Sequence, residues 1–462
     1  MALSNKQALS TARDILAAGR AEAARLELIH AYLRGTYTPK QYIPRKAISQ
    51  GAEVEYAAII ARSKQPILSL VVDALSQNLC VDGFRPARAS ENAAGWAHWQ
   101  ANRMDARQEA VHRGAVQYGA HYLAVLPGKP APAWRPVSAR NMTAVYEDAA
   151  NDEWPLFALE RWARGSASGT QRAWRLYDGE QVYTLTGDTA LSGGFALDGV
   201  AKVERHDTGF VPVVRYLGTA DPDGDVLGEV WPLLVFQDQL DGSTYNLEMA
   251  QALAVHRQRW GTGLGIETDD NGQPVEPFKA AIDRLWVAED PDVKFGEFGQ
   301  TDIKPWLDAR EDTRRAMAIK SQLPPGHMLG EMANLSAEAL AATEAPQQRR
   351  GKSFKTNLGE SHEQAFRLDA LQSGDEAGWL DTSAQVVWAD KESRSLSQVA
   401  DALGKLAAQL GIPPRGLWEK IPGVTDGDLE NWERMAVEDT QRAANAQAVA
   451  IGMVDGDALT NT

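Results

Sequence analysis

The sequence predicts an α+β fold in which a hairpin of long helices carries a small insert at its tip. Three patterns support this prediction. Alternating apolar runs between residues 123 and 218 are typical of antiparallel strands, a largely apolar helix pattern covers 227–260, and an acidic β-like insert over 263–308 separates it from a second helix and a proline-containing loop. An enzyme pocket does not require a helical hairpin with an insert at its tip, so this order of elements favours a structural role.

Composition limits the possible classes of protein. With 462 residues, of which 44% are hydrophobic and 24% charged, the chain can bury a substantial core in roughly two to four folding units. Cys80 is the single cysteine, which excludes an intramolecular disulfide framework. The N-terminus lacks the apolar core of a signal peptide, and no apolar run reaches the length of a membrane span. We therefore expect synthesis in a reducing cytosol and no membrane partner.

Charge is segregated along the chain, although the net charge is −15. Residues 1–64 contain 10 basic and 5 acidic residues, whereas 263–308 contain 4 and 11, and 373–462 contain 7 and 15. A protein that grips DNA should be basic where it touches phosphates, but a wall that lets DNA slide benefits from repelling them. The acidity fits passage of DNA better than binding. An ordinary acidic surface that keeps the protein in solution is the alternative.

The N-terminal region is predicted to be mainly helical. One helix is expected over 8–32 with Gly35 as its end, and a second over 54–78 with a break at Pro66. Trp96 and Trp99 are three residues apart and should share a helix face. A further helix over 105–119 is expected to precede a strand over 120–125.

Three histidines in this region raise the question of a metal site. His98, His112 and His121 are separated by 14 and 9 residues, which matches no ligand spacing, and no cysteine stands near them. We expect ordinary packed histidines and no metal. Further along, 211–217 should close an antiparallel meander, and the acidic run 221–225 should cap the long helix that follows.

Catalytic and nucleotide motifs are not found in the sequence. Gly351, Lys352 and Ser353 are similar to the end of a phosphate loop, but the surrounding residues 341–355 read as helix rather than strand, loop and helix. The glycines over 261–265 lack the spacing and preceding strand of a dinucleotide site. No serine elbow, zinc-protease helix or cysteine nucleophile is recognisable. The sequence therefore predicts no catalytic residue and no cofactor.

The central hairpin is the most informative segment. Apolar residues fill nearly every face of the helix pattern that begins at Leu227, and such a helix must be covered on several sides. Strands are expected at 285–287 and 293–295 within the insert. A charged helix over 308–322 then returns and is stopped by prolines. The basic residues of this second stem helix are Arg310, Arg314, Arg315 and Lys320.

The stretch 322–340, Gln-Leu-Pro-Pro-Gly-His-Met-Leu-Gly-Glu-Met-Ala-Asn-Leu-Ser-Ala-Glu-Ala-Leu, resembles the tunnel loop and channel helix of tailed-bacteriophage portal proteins. Earlier runs at 32–35, 71–84, 99–102 and 115–125 resemble the wing of the siphophage portal group. Later runs at 386–388, 396–404 and 411–414 resemble the late wing and crown. The resemblance covers roughly residues 25–440 as an ordered series, and no single motif is diagnostic.

The resemblance implies a portal fold with a helical stem hairpin, an α/β wing, a small β-containing clip and a helical crown. It implies that the protein forms a ring, expected to be a dodecamer, at one capsid vertex. By this resemblance, 1–226 and 373–394 form the wing, 227–262 and 309–322 the stem, 263–308 the clip, 323–335 the tunnel loop, 336–372 the channel helix and 395–462 the crown with the C-terminal tail.

The resemblance also implies partners and a location. The ring would dock the terminase large subunit, contact the major capsid and scaffold proteins, pass double-stranded DNA and seat the head-to-tail connector proteins. It would assemble in the host bacterial cytoplasm and remain in the virion. The motor's ATP chemistry would belong to terminase, which accounts for the missing phosphate loop. A soluble α+β enzyme with an unrecognised site, or a phage scaffold or adaptor protein without a channel, are the alternative functions.

The resemblance places two groups of residues at the channel. The loop residues should lie at its constriction, where Met side chains can touch DNA without fixing it by charge. The basic residues should lie on the helix that follows, where salt bridges between subunits are their more ordinary use. The loop residues are Pro324, Pro325, Gly326, His327, Met328, Met332 and Asn334, and the helix residues are Arg349, Arg350, Lys352 and Lys355.

Overall fold

The computed structural model divides the described chain into two compact units. The larger comprises Met1–Leu79 and Pro86–Gln385, and the smaller comprises Cys80–Arg85 and Val386–Thr462. The structure describes residues 2–37, 53–87, 93–166, 169–188, 196–219, 221–255, 259–263, 292–297, 302–330, 336–389, 396–418, 420–421, 424 and 426–457.

Two consecutive helices form the N-terminus, α1 (Asn5–Ala18) and α2 (Arg20–Arg34). The single helix predicted over 8–32 is therefore wrong in one respect, because Gly19 separates two helices. Glycine is a poor helix former, and the Gly19 amide ends α1 by bonding the Ile15 carbonyl at 2.9 Å. The predicted end at Gly35 is confirmed, since this residue has φ 67°.

The following helices agree with the sequence patterns. α3 (Glu53–Ser63) and α4 (Leu68–Ser76) are separated around Pro66, as predicted. The strand β1 (Val81–Arg85) belongs to the smaller unit. α5 (Ala93–Ala101) carries Trp96 and Trp99 on one face, with ring centroids 5.4 Å apart, and α6 (Met104–Tyr118) ends at Gly119.

Two antiparallel sheets form the β region. One has the order β3-β2-β9 and the other is a meander, β4-β5-β6-β7-β8. The meander is confirmed, but the expectation that 211–217 closes it is wrong, because β9 pairs with β2 in the other sheet. β2 is buried along nearly its whole length and needs a partner on each edge. The strands are β2 (Ala120–Leu126), β3 (Ala133–Ser138), β4 (Met142–Val145), β5 (Phe157–Ser166), β6 (Gly169–Tyr177), β7 (Gln181–Asp188), β8 (Ala196–Arg205) and β9 (Val213–Leu217).

The meander packs against the N-terminal helix. Ala8, Ala12 and Ile15 on α1 contact a cluster of buried leucines from the strands. Small residues at two of these three positions let the helix lie close to the sheet. The leucines of the sheet are Leu159, Leu176, Leu185 and Leu197.

A row of neutral, hydrogen-bonded side chains, here called the wing cluster, is buried where α6 packs against β9. His112 Nδ1 is 3.1 Å from the Leu79 carbonyl, its Nε2 is 2.8 Å from His362 Nε2, and His362 Nδ1 is 3.0 Å from the Tyr216 hydroxyl. The carbonyl can only accept, so His112 carries its proton on Nδ1, His362 on Nε2, and Tyr216 donates. His121 is also buried, and neither of its ring nitrogens has a partner among the described residues. The prediction of packed histidines is confirmed.

The stem hairpin differs from its prediction at both ends. A 3-10 turn (Trp231–Leu233) precedes α7 (Leu234–Val255), so residues 227–230 are not helical. They pack instead against the end of α6, where the Glu229 amide donates to the Val116 carbonyl at 2.9 Å. A Cβ on Gly228 would lie 2.6 Å from the Gly119 amide nitrogen, so only glycine allows this approach.

The predicted helix cap at 221–225 is wrong as well. The Asp223 amide donates to Asp221 Oδ1 at 2.9 Å, so this run closes its own turn well before the helix begins.

A two-stranded hairpin stands at the far end of α7. β10 (Arg259–Thr262) pairs antiparallel with β11 (Lys294–Glu297), which agrees with the strand predicted near 293–295. Residues 259–262 are therefore strand rather than the end of the predicted helix. A Cβ on Gly296 would lie 2.4 Å from the Trp260 ring, so glycine allows the indole to cross the strand. The predicted strand at 285–287 lies outside the described residues.

Three further helices complete the larger unit's central part. α8 (Lys304–Lys320) begins four positions earlier than its predicted start at 308, with Pro305 in its first turn. α9 (Pro325–Leu329) is a short helix inside the predicted loop. α10 (Ala337–Ser373) is capped by Ser336, contains Pro346 and matches the predicted channel helix closely.

The smaller unit is mainly helical, as predicted for 395–462. α11 (Glu376–Trp379) is the last helix of the larger unit, and β12 (Gln385–Trp388) then pairs with β1. The remaining helices are α12 (Leu396–Leu410), α13 (Arg415–Trp418) and α14 (Asp426–Asp457). Within the described ranges, no helix combines the length and apolar character that crossing a bilayer demands.

Candidate functional site

A buried polar group sits at the base of the stem, and we call it the stem cluster. Its centre is the Asp241 carboxylate on α7, which is fully buried. The carboxylate accepts hydrogen bonds from the Tyr37 hydroxyl, from the Gln65 amide at 3.0 Å and from Gln237 Nε2 at 2.8 Å. Burial raises the pKa of Asp241, and the hydrogen bonds oppose that rise.

The stem cluster joins three parts of the chain. Tyr32 donates to Asp238 at 2.5 Å and stacks on Tyr37 with ring centroids 3.9 Å apart. The Lys64 ammonium lies 5.4 Å from the Tyr37 ring centroid. The end of α2, the connection between α3 and α4, and the stem helix α7 are therefore fixed to one another by polar contacts as well as by packing.

The predicted basic residues of α8 fall into two groups. Arg314 donates to Gln65 Oε1 at 2.9 Å, and it lies one turn from Arg310; the Nε atoms of both arginines are buried without a partner among the described residues. Burial and then the charge of Arg310 lower the pKa of Arg314. Arg315 is exposed and lies 3.3 Å from Glu311 and 3.5 Å from Asp312, while Lys320 is exposed.

The predicted loop residues are only partly exposed. Gln322 has φ 58° and ends the path of α8, and α9 then ends at Gly330 with φ 71°. Pro324 and Met328 are buried, whereas Pro325 and His327 are exposed and Gly326 is half-buried. Met328 therefore packs α9 against its own subunit, and its buried side chain is not available for the DNA contact expected of it. Met332 and Asn334 lie outside the described residues.

The predicted basic residues of α10 also fall into two groups, one that packs within the subunit and one that is exposed or half-buried. Arg350 forms an ion pair with Glu229, donates to Thr219 Oγ1 at 3.1 Å and lies 4.9 Å from the Phe354 ring centroid. Arg350 thus attaches α10 to the segment before the stem. Arg349 and Lys352 are exposed and Lys355 is half-buried. Gly351, Lys352 and Ser353 are within a continuous helix, which confirms that they form no phosphate loop.

A cavity of about 430 Å³ lies between α2 and the edge of the sheet, and both arginine side chains in its lining are hydrogen-bonded to backbone carbonyls. Arg25 Nη2 donates to the Val226 carbonyl at 2.8 Å, and Arg215 Nη2 donates to the Ala149 carbonyl at 2.7 Å while stacking on Tyr146. The cavity lining contains no serine, cysteine or histidine nucleophile. Among the described residues, no group of three or more metal-binding side chains is assembled.

Sequence reasoning missed the stem cluster. The signal was present, because Gln237 and Asp241 are one turn apart in a helix that is otherwise rich in apolar residues. A carboxylate in such a helix predicts buried donors. The donors themselves, Tyr37 and the Gln65 amide, are about 200 and 176 residues away along the chain, so no local pattern could identify them.

The helical hairpin, the long helix α10 with its Ser336 cap, and the antiparallel sheets agree with a comparison of the sequence with known protein families. Residues 14–444 match the family described as phage portal protein, SPP1 Gp6-like. The chain therefore belongs to the phage portal protein family, a structural rather than enzymatic family, and the resemblance found in the sequence is confirmed.

Solved structures similar to the chain include two necks of GTA particles. One, the neck of an empty GTA particle computed with C6 symmetry, is 13% identical with a TM-score of 0.40 and covers 82% of this chain and 93% of that chain. The other, the neck of a native GTA particle computed with C12 symmetry, is 13% identical with a TM-score of 0.40, over 83% and 94% of the two chains. No curated protein matches the chain.

Proposed function

We propose that this portal-family chain assembles into a closed ring, expected to be a dodecamer, that forms the DNA channel at one capsid vertex. The observation that supports it is the uncovered apolar surface of the stem hairpin. Val235 on α7 is 61% exposed, and Ile319 and Trp306 on α8 are 72% and 37% exposed. Apolar side chains at several places on one helical hairpin indicate a surface that neighbouring copies cover.

Ring formation can be tested on the purified chain. Light scattering and electron micrographs should reveal particles of many subunits with a central hole. Val235→Asp and Ile319→Asp should weaken assembly, since each buries a charge at the interface, whereas the matched change Val203→Asp on the meander should not, because Val203 is similarly exposed at 40% but lies outside the stem. A stable monomer under all salt conditions would contradict the proposal.

The proposed ring passes double-stranded DNA that terminase packages and that later leaves through the same channel. The acidic balance of the chain supports it, since a wall of like charge repels phosphate. We assign the wing, stem, clip, tunnel loop and crown as the family resemblance implies. Terminase would dock on the clip, the capsid and scaffold proteins on the wing, and the connector proteins on the completed ring. Assembly would occur in the host cytoplasm, and the ring would remain in the virion.

The clip proposal can be tested by a deletion that spares the hairpin strands. Replacing residues 264–291 with a short Gly-Ser linker keeps β10, β11 and α8. We expect rings to form and packaging to stop, because a module mounted on a rigid stem carries recognition rather than core stability. A linker variant that fails to form rings would make this segment an assembly element and would exclude the docking role.

The tunnel-loop proposal needs variants that do not disturb the subunit. Met328 is buried, so a charge there would destabilise α9 irrespective of any DNA contact. His327→Asp with Met332→Asp should spare ring assembly and slow translocation or let packaged DNA leak. Met328→Leu is the matched control, since it keeps the apolar anchor. Normal packaging and retention in the double variant would remove the loop from the DNA path.

A further inference from the structure

In the part of the chain that the structure describes, no carboxylate forms an ion pair with either of two arginines on α8, and Glu311 acts on Arg314 through its charge alone. Arg310 and Arg314 lie one helical turn apart, on the side of α8 that also carries the buried residues Met317 and Ala318. Their Nε atoms are buried and meet no acceptor among the described residues, and the amide oxygen of Gln65 is an acceptor for Arg314. Half-buried like charges of this kind are unfavourable unless a carboxylate or another anion lies near them.

The opposite face of the same helix presents carboxylates. Asp308 and Asp312 each lie two positions from an arginine, which places them about 200° around the helix axis. Asp308 is exposed, and the Asp312 side chain is 75% exposed. Ile319, 72% exposed, lies on the same outward face. Arg315 at 3.5 Å is the group in the subunit that competes for Asp312, and such an exposed pair is weak.

We propose that α8 forms the contact between neighbouring copies. In this contact, Asp308 and Asp312 of one copy pair with Arg310 and Arg314 of the next. This inference deepens the proposed ring, on which it rests. The occupant of the arginine face is a second copy of this chain because the complementary charges, with the same one-turn spacing, are on the same helix. A contact between two different faces of one element is head-to-tail, and a head-to-tail contact is the kind that closes a ring. Ile319 would be covered in the same contact.

A mixing experiment tests the pairing directly. One variant, Arg310→Glu with Arg314→Glu, is acidic on both faces of α8, and the other, Asp308→Arg with Asp312→Arg, is basic on both. Neither should form rings alone, and we expect at least about a tenfold loss of assembly affinity, since like charges meet at every interface. An equimolar mixture should form rings with alternating subunits. Native mass spectrometry reports the composition.

The outcomes separate this inference from the proposed ring. Rings from either variant alone with wild-type affinity, or a mixture of folded variants that stays unassembled, would overturn the α8 pairing while leaving a wild-type ring intact. If the wild-type chain forms no ring, the proposed function fails, yet the two variants should still bind each other more tightly than each binds itself. Rescue by free phosphate or by DNA instead of by the complementary variant would assign the arginines to phosphate and contradict the pairing.

A second set of variants covers the case in which the reversed charges prevent folding. Arg310→Gln and Asp308→Asn remove one charge each and keep polar side chains. Their effects on the salt concentration that dissociates the assembly should be strongly non-additive when combined, because each removes the same contact. Additive effects would overturn the pairing.

Discussion

The stem cluster and the wing cluster are both buried and polar, but they differ in how completely their groups are paired. In the wing cluster, a continuous chain of neutral donors and acceptors runs from the Leu79 carbonyl through His112 and His362 to Tyr216. The stem cluster is built on a carboxylate, Asp241, and the adjacent Arg310 and Arg314 retain unpaired N–H groups. The wing cluster is paired from end to end within the subunit, whereas the stem cluster borders two arginine Nε atoms that have no partner among the described residues.

The difference indicates what each region contributes. A closed neutral network specifies one packing of α6, α10 and β9, and it needs nothing from outside. An open charged network gains stability when an anion binds, so in the proposed ring its free energy would depend on assembly. The wing cluster therefore contributes to the stability of one subunit, and the stem cluster lies where the proposed ring would be coupled to the subunit.

The largest effect should come from removing the centre of the stem cluster. Asp241→Ala leaves the Tyr37 hydroxyl and the Gln65 amide without their acceptor in a buried place, and it removes one of the acceptors of Gln237 Nε2. We expect the free energy of unfolding to fall by about 3–5 kcal/mol, at about 1–3 kcal/mol for each stranded donor. Chemical denaturation measures it. Asp302→Ala on the surface, which accepts from the Lys304 amide, is the control and should cost about 1 kcal/mol or less.

A smaller loss is expected from breaking the wing cluster. His362→Leu removes the acceptor of the Tyr216 hydroxyl and the donor to His112 in the core. The expected cost is about 2–3 kcal/mol in the same denaturation assay. Ring assembly of the folded fraction should be unchanged, because the network is internal. A specific assembly defect in His362→Leu, with normal stability, would contradict the division between the two clusters.

The wing cluster should also make stability depend on pH. Burial lowers the pKa of His121 to about 3, and burial, followed by the unfavourable interaction that a protonated His362 would have with His112, lowers the pKa of His362 well below its usual value. Below pH 6.5 the unfolded chain binds protons that the folded chain does not, so stability falls as pH falls. Between pH 6.5 and 5.5 we expect a loss of about 1 kcal/mol for each of these histidines.

His121→Leu provides the control for this pH dependence. It removes a buried ring whose nitrogens have no partner in the described structure, so the loss of stability between pH 6.5 and 5.5 should decrease by the share of one histidine, about 1 kcal/mol. An unchanged slope between pH 6.5 and 5.5 would show that His121 already titrates normally in the folded protein.

The smallest effects concern two helical glycines. A Cβ on Gly114 would lie 2.1 Å from His121 Nδ1, whereas a Cβ on Gly351 would meet nothing within 4 Å. Gly114→Ala should therefore cost about 1–2 kcal/mol by overpacking the wing cluster, and Gly351→Ala should stabilise α10 by about 0.5–1 kcal/mol. Thermal unfolding of both variants tests the contrast, and opposite signs are the required result.

Much of the fold could be predicted from the sequence because its signals are local. Periodicity and breakers located the helical N-terminus with its end at Gly35, the break at Pro66, the meander and the long helix that begins after Ser336. The errors arise where a distant contact decides the backbone. Residues 227–230 leave the helix to pack on α6, and β9 leaves the meander to complete the sheet around β2. Neither partner is visible in the local pattern.

The candidate site was less predictable for the same physical reason. The sequence identified Arg350 as basic and helical, but its pairing with Glu229 depends on how two distant segments pack. The sequence suggested that Met328 touches DNA, but it could not show that the short helix α9 turns this side chain into the subunit. Arg310 and Arg314 were located by sequence, whereas the unpaired state of their Nε atoms among the described residues depends on how the helices pack.

Pro346 divides α10 into a C-terminal part that is fixed in the core and an N-terminal part that can bend away from it. It has no amide hydrogen, so the Ala342 carbonyl loses its usual helical donor, and bending at this point costs less than elsewhere in the helix. Beyond it, Phe354, Leu358 and Phe366 hold the helix in the core. Before it, Leu340 is 49% exposed. The nine residues Ala337–Ala345 can therefore tilt about the proline at a lower cost than any other part of α10, while the part beyond Pro346 stays fixed in the core.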